Sequence, residues 1–87
     1  MKTIRQLKIE SILRRSISAI VNKAFGNVAS VGYVDVSADT KDAKVQIIFT
    51  EDAVSQQILS STIKSKIGKQ TELRITPRLK FDFLPQS

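Results

Sequence analysis

A chain of 87 residues without cysteine, histidine or tryptophan can form one small core, but without disulfides, thiolate metal sites or an imidazole base. A hydrophobic fraction of 41% and only three glycines exclude a disordered chain. The formal charge of +6 points to an anionic partner, and within the first 26 positions Lys2, Arg5, Lys8, Arg14, Arg15 and Lys23 face Glu10 alone. No apolar run approaches the ~20 residues of a membrane span, and the amino terminus alternates charged with apolar residues. The expectation is one cytoplasmic domain over residues 1–87, with no membrane contact.

From Ile4 to Phe25 there is no proline or glycine, and Ile9, Leu13, Ile17, Ile20, Val21 and Ala24 fall within a sector of about 120° on a helical wheel. That pattern predicts a long amphipathic helix. Arg5, Lys8, Arg15 and Lys23 cluster nearly opposite the apolar sector and form a basic ridge. Gly26 or Asn27 can take the left-handed conformation that ends the helix.

Two β-rich runs follow, Val28 to Ala38 and Ala43 to Thr50, joined by the turn-prone Asp39-Thr40-Lys41-Asp42. In the first, Gly32, Val34, Val36 and Ala38 share one face, and Val31, Tyr33, Asp35 and Ser37 the other. In the second, Ala43, Val45, Ile47 and Phe49 form an apolar face, with Ile48 opposite, which suits a central strand.

Thr50 is a fair helix N-cap, with Glu51 and Asp52 in the first turn. Beyond it the apolar residues change phase, because Val54 and Ile58 occupy one side of the wheel while Leu59, Ile63 and Ile67 occupy the other. The change falls at Leu59-Ser60-Ser61-Thr62, and serine and threonine compete for helix hydrogen bonds. Two helices meeting at a kink at Leu59, Ser60 and Ser61 are therefore expected; the alternative is one helix buried over a broad sector. Gly68 ends this region.

Glu72 to Phe83 alternates strictly: Leu73, Ile75, Leu79, Phe81 and Phe83 against Glu72, Arg74, Thr76, Arg78, Lys80 and Asp82. This predicts a half-buried strand, and Pro77, which lacks an N–H, makes it an edge. A strand, a helical crossover and a further strand normally connect in parallel. The expected fold class is α+β, a two-layer α-β-β-α-α-β domain with a three-stranded mixed sheet in the order first, second, third and helices on one face. Leu13, Ile17, Val21, Val45, Ile47, Ile58, Ile63, Leu79 and Phe81 are its expected core.

Catalytic chemistry finds little support. Among the carboxylates, Asp35, Asp39 and Asp42 are close in sequence, but Asp39 and Asp42 read more simply as turn residues. No phosphate-cradling Gly-x-x-x-x-Gly-Lys is present, and Gly68 lacks the second glycine of a Gly-x-x-Gly loop. No metal, cofactor or small-molecule substrate is expected. The functional reading rests on basic side chains: Arg5, Lys8, Arg15 and Lys23 on the first helix, Lys64, Lys66 and Lys69 on the last, and Arg74, Arg78 and Lys80 on the edge strand. Together these could bind RNA phosphates with little sequence preference. Tyr33 alone is too few outward aromatics for a single-strand stacking platform, so recognition by shape fits better. A solvated, soluble exterior is the plainer reading of one charged helix face.

Three segments stand out together: Ile12-Leu13-Arg14-Arg15-Ser16-Ile17-Ser18, Val36-Ser37-Ala38-Asp39 followed by Ala43-Lys44-Val45, and above all Leu73-Arg74-Ile75-Thr76-Pro77-Arg78-Leu79-Lys80-Phe81. In these the chain resembles the ribosome-binding factor A family, from about Arg5 to Phe81. That resemblance implies a type II KH-like fold and a non-catalytic factor in late maturation of the small ribosomal subunit, acting as a monomer on the particle and its ribosomal RNA. The family's Ala-x-Gly kink corresponds here to Leu59-Ser60-Ser61, so serine conformations would have to supply the kink. If the family's carboxy-terminal extension contributes binding, that contribution is expected to be missing here. Two other functions fit the residues less well: a protein-interaction module using the edge strand, and a generic KH-like RNA-binding protein unrelated to ribosome maturation.

Overall fold

The computed structural model describes residues 1–26, 29–49, 56–70, 73 and 76–85. Helix α1, Ile4–Phe25, is followed by strands β1, Ala29–Val36, and β2, Asp42–Phe49, then by helix α2, Gln56–Gln70, and strand β3, Arg78–Pro85. The sheet order is β1-β2-β3, with β1 antiparallel and β3 parallel to the central β2. This is the mixed three-stranded α+β arrangement that the element order implies.

Helix α1 begins at a capping box. Thr3 accepts from the Gln6 N–H at 3.2 Å while the Gln6 side chain accepts from the Thr3 N–H at 2.8 Å, so two end donors are satisfied reciprocally. It ends where Gly26 takes φ 67 and ψ −136, a conformation open to glycine, and donates its N–H to Asn22 O. Leu13, Ile17, Ile20 and Val21 line its buried stripe.

Strand β1 departs from simple alternation. Val31 pairs with Ile47 and Val34 with Val45, so Gly32 and Tyr33 both stand opposite Gln46 in a β-bulge. The extra residue reverses the phase, and Val31, expected beside Tyr33 and Asp35, packs against the core while Gly32 does not continue the Val34 and Val36 face. The turn also starts earlier than expected. Ser37 N–H donates to Asp42 O at 2.9 Å and Thr40 N–H to Ser37 O at 2.9 Å, which leaves Ala38 outside β1 and makes Asp42 the first residue of β2.

The expected kink at Leu59, Ser60 and Ser61 is not there: α2 is a single helix through these residues. Ile58, expected in the core, is 59% exposed, whereas Leu59, Ile63 and Ile67 are buried at four-residue spacing. With Ile58 in solvent one stripe remains, and the phase conflict disappears. Ser60 satisfies its hydroxyl within the helix, donating to Gln57 O at 3.2 Å. Thr50, Glu51, Asp52 and Val54 lie outside the described residues.

Strand β3 is an edge but starts later than Glu72. Pairing begins where Arg78 N–H donates to Lys41 O at 2.8 Å, opposite the start of β2. It then continues past Phe83, with Leu84 opposite Ile48 and Pro85 opposite Phe49. Leu79 is buried, whereas Phe81 and Phe83 are half-buried and stacked, with ring centroids 5.9 Å apart.

The outer edge of β1 is capped by α1 at Val36. At Val36 the N–H donates to Glu10 Oε2 at 2.9 Å, and the carbonyl accepts from Gln6 Nε2 at 3.1 Å. Two residues one helical turn apart thus occupy both backbone groups that a further strand would use.

Candidate nucleic-acid interface

Arg5, Lys8, Arg15 and Lys23 are all exposed on α1, as the wheel implies. The fold carries the first two further. Arg5 and Lys8 stand with Lys41 of the β1–β2 turn and Arg78 of β3 around a groove of about 860 Å³, floored by Ile9, Ile12, Leu73 and Pro77. A second groove, about 600 Å³, runs between α2 and β3, where Lys64, Arg78 and Lys80 border Ile67, Pro77 and Leu79. Arg78 is common to both.

Asp42 orients Arg78. Its Oδ2 accepts from an Arg78 Nη2–H at 3.3 Å, and Oδ1 lies 3.0 Å from Nε as an ion pair without hydrogen-bond alignment. Arg78 is still largely exposed, so its outward nitrogens remain available to an anion. Lys64 Nζ lies 5.8 Å from the Phe81 ring centroid, a cation–π contact at the groove wall. Lys66 and Lys69 are exposed on the opposite flank of α2 from Lys64 and border neither groove. Arg15 and Lys23 continue the α1 ridge beyond the grooves. Arg74 lies outside the described residues.

The charge census missed Lys41, because a lysine in a turn has no periodic neighbours to mark it; only the fold brings it beside Arg5 and Lys8. Lys2 is used differently. It is ion-paired with Asp35 and Glu10, and hydrogen bonds to Asp35 first and Glu10 second raise its pKa above the ordinary value. Asp39, beside the larger groove, accepts at Oδ1 from the Ser37 hydroxyl at 2.6 Å and from the Lys41 N–H at 3.0 Å. These bonds, the hydroxyl's foremost, hold its pKa below the ordinary carboxyl value. Among the described residues no three carboxylates gather as a metal site would require, and no helix is long and apolar enough to cross a membrane.

Two helices on one face of a mixed three-stranded sheet, with cationic grooves along the seams, define a small KH-like α+β domain. The chain belongs to the ribosome-binding factor A family, whose sequence pattern matches residues 5–83. Among solved structures it is similar to ribosome-binding factor A from Thermus thermophilus, with a TM-score of 0.62 and 15% identity over 88% of this chain and 93% of that one. At that identity the likeness concerns the fold. No curated protein sequence gives a significant match.

Proposed function

We propose that residues 1–87 act as one non-catalytic domain that binds small-subunit ribosomal RNA during late maturation of the small subunit, as a cytoplasmic monomer without a cofactor. The observation that carries this reading is the meeting of Arg5, Lys8, Lys41 and Arg78 around one groove in a member of a ribosome-binding family. Three separate elements supply these cations, so the basic character is more than one solvated helix face. Lys64 and Lys80 extend it, and Arg15, Lys23, Lys66, Lys69 and Arg74 complete the proposed contact set. Phosphate contacts of this kind position the protein by the shape of the RNA.

Co-sedimentation with immature and mature small subunits across salt concentrations tests the reading. Reversing Arg5, Lys8 and Arg15 to glutamate should abolish particle binding with the fold intact, since all three are exposed. Removing one contacting cation should lower the slope of log affinity against log salt by about 0.7 to 0.9. If the triple variant sediments with subunits as wild type does at every salt concentration, the basic surface is not the interface. A salt-insensitive association would favour the open edge of β3, where main-chain hydrogen bonds would dominate.

A further inference from the structure

We infer that the groove between α1, the β1–β2 turn and Pro77 takes a single unpaired nucleotide of the RNA, with its base on Ile12 and Pro77, its phosphate at Arg5 and Lys8, and its exocyclic amino group at Asp39. The inference rests on the RNA-binding reading above and gives this part of the surface a ligand class. At about 860 Å³ the groove lies within the roughly 300 to 1,000 Å³ typical of small-ligand sites, whereas a duplex backbone meets a surface as a ridge. A phosphate alone would need only the cationic rim. The apolar floor calls for a flat apolar body attached to the anion, which is what a nucleotide provides. Ile12 fits this role: it is half-buried on the groove, yet among the described residues it is not one of the apolar side chains packed against the core.

Asp39 sharpens the class. A carboxylate facing an RNA strand is repulsive unless it accepts a hydrogen bond from the ligand, and base amino groups are, with imino N–H groups and ribose hydroxyls, the donors that a nucleotide offers. The hydrogen bonds from the Ser37 hydroxyl and the Lys41 N–H both fall on Asp39 Oδ1, so neither of them occupies Oδ2. Its lowered pKa keeps it an acceptor. Cytosine offers an amino group where uracil, of the same shape, offers a carbonyl, and so cytosine is favoured.

The test uses the full chain and three RNA hairpins: fully paired, with one bulged cytosine, and with one bulged uracil. The cytosine bulge should bind roughly tenfold more tightly than the paired hairpin, the gain expected from covering part of one base face with apolar side chains, and roughly fivefold more tightly than the uracil bulge. Ile12→Gln should weaken binding of the cytosine bulge more than binding of the paired hairpin, and so remove most of the bulge preference. Asp39→Asn, which can keep the turn through its side-chain oxygen, should remove the preference for cytosine over uracil. Equal binding of bulged and paired hairpins by the wild type overturns the nucleotide site and leaves RNA binding standing. Equal binding of the two bulges overturns the role of Asp39, and failure to bind any hairpin removes the RNA-binding reading itself.

Discussion

The two helices cover the same sheet but are held to it differently. Helix α1 buries Leu13, Ile17, Ile20 and Val21 and is also tied lengthwise to β1 by Gln6 and Glu10 at Val36. Helix α2 rests on Leu59, Ile63 and Ile67, and among the described residues it makes no hydrogen bond to the sheet; its polar link is Lys64 above Phe81. The first seam is fixed by both shape and hydrogen bonds, the second by a narrow apolar stripe. Both grooves border Arg78 and Pro77, on the side of the molecule where α2 and β3 leave apolar side chains half-covered. The surface proposed for a partner thus adjoins the less completely buried part of the described residues.

The largest expected effect that separates these regions is in the core. Ile17→Ala should cost about 2 to 5 kcal/mol in urea denaturation, because the side chain is fully buried and a cavity would remain. Phe81→Ala should cost less than the roughly 3 to 5 kcal/mol of a fully buried phenylalanine, since Phe81 is only half-buried. Should Phe81→Ala prove the more damaging of the two, the α2–β3 region is as tightly packed as the α1–β1 region and the contrast fails.

Next in size is the tie at Val36. Glu10→Ala leaves that N–H without its acceptor, at a cost of about 1 to 3 kcal/mol, and should speed hydrogen exchange at Val36. Glu10→Gln keeps an acceptor oxygen and should recover most of the loss. An unchanged exchange rate in Glu10→Ala would mean that water replaces the carboxylate there and that α1 is held by packing alone.

How much of this was legible in the sequence follows the same division. Helix α1, the central strand and the parallel edge strand could be read because their apolar periods are uninterrupted. The bulge at Gly32 and Tyr33 could not, since one inserted residue moves Val31 to the other face without altering composition. Helix α2 was misread because Ile58, next to the buried Leu59, counts as apolar in any pattern, and only the finished fold leaves it in solvent. For the candidate site the α1 ridge was visible on a wheel, whereas Lys41 joins Arg5 and Lys8 through contacts distant in sequence. A smaller prediction tests the corrected helix. Ser61→Gly should destabilise by about 0.5 kcal/mol if Ser61 is mid-helix, and would be neutral or favourable at a kink.

The smallest effects lie at opposite ends of the pH scale. Asp39 is depressed below its ordinary value of 3.8, so below neutrality the unfolded chain binds its proton first. Its contribution is present above that value and is lost as pH falls through the lower folded-state pKa. Lys2 is raised above its ordinary value of 10.5 by Asp35 and Glu10, so its contribution is complete below 10.5 and is lost as pH rises through the higher folded-state pKa. Asp39 is exposed and Lys2 partly exposed, and solvent screening keeps each effect small. Urea midpoints measured against pH should therefore show Asp39→Asn flattening only the acid limb and Lys2→Gln only the alkaline one. Because Lys2 shares Glu10 with the Val36 N–H, Lys2→Gln combined with Glu10→Ala should be less than additive. Strict additivity would show that Lys2 does not act through the α1–β1 tie.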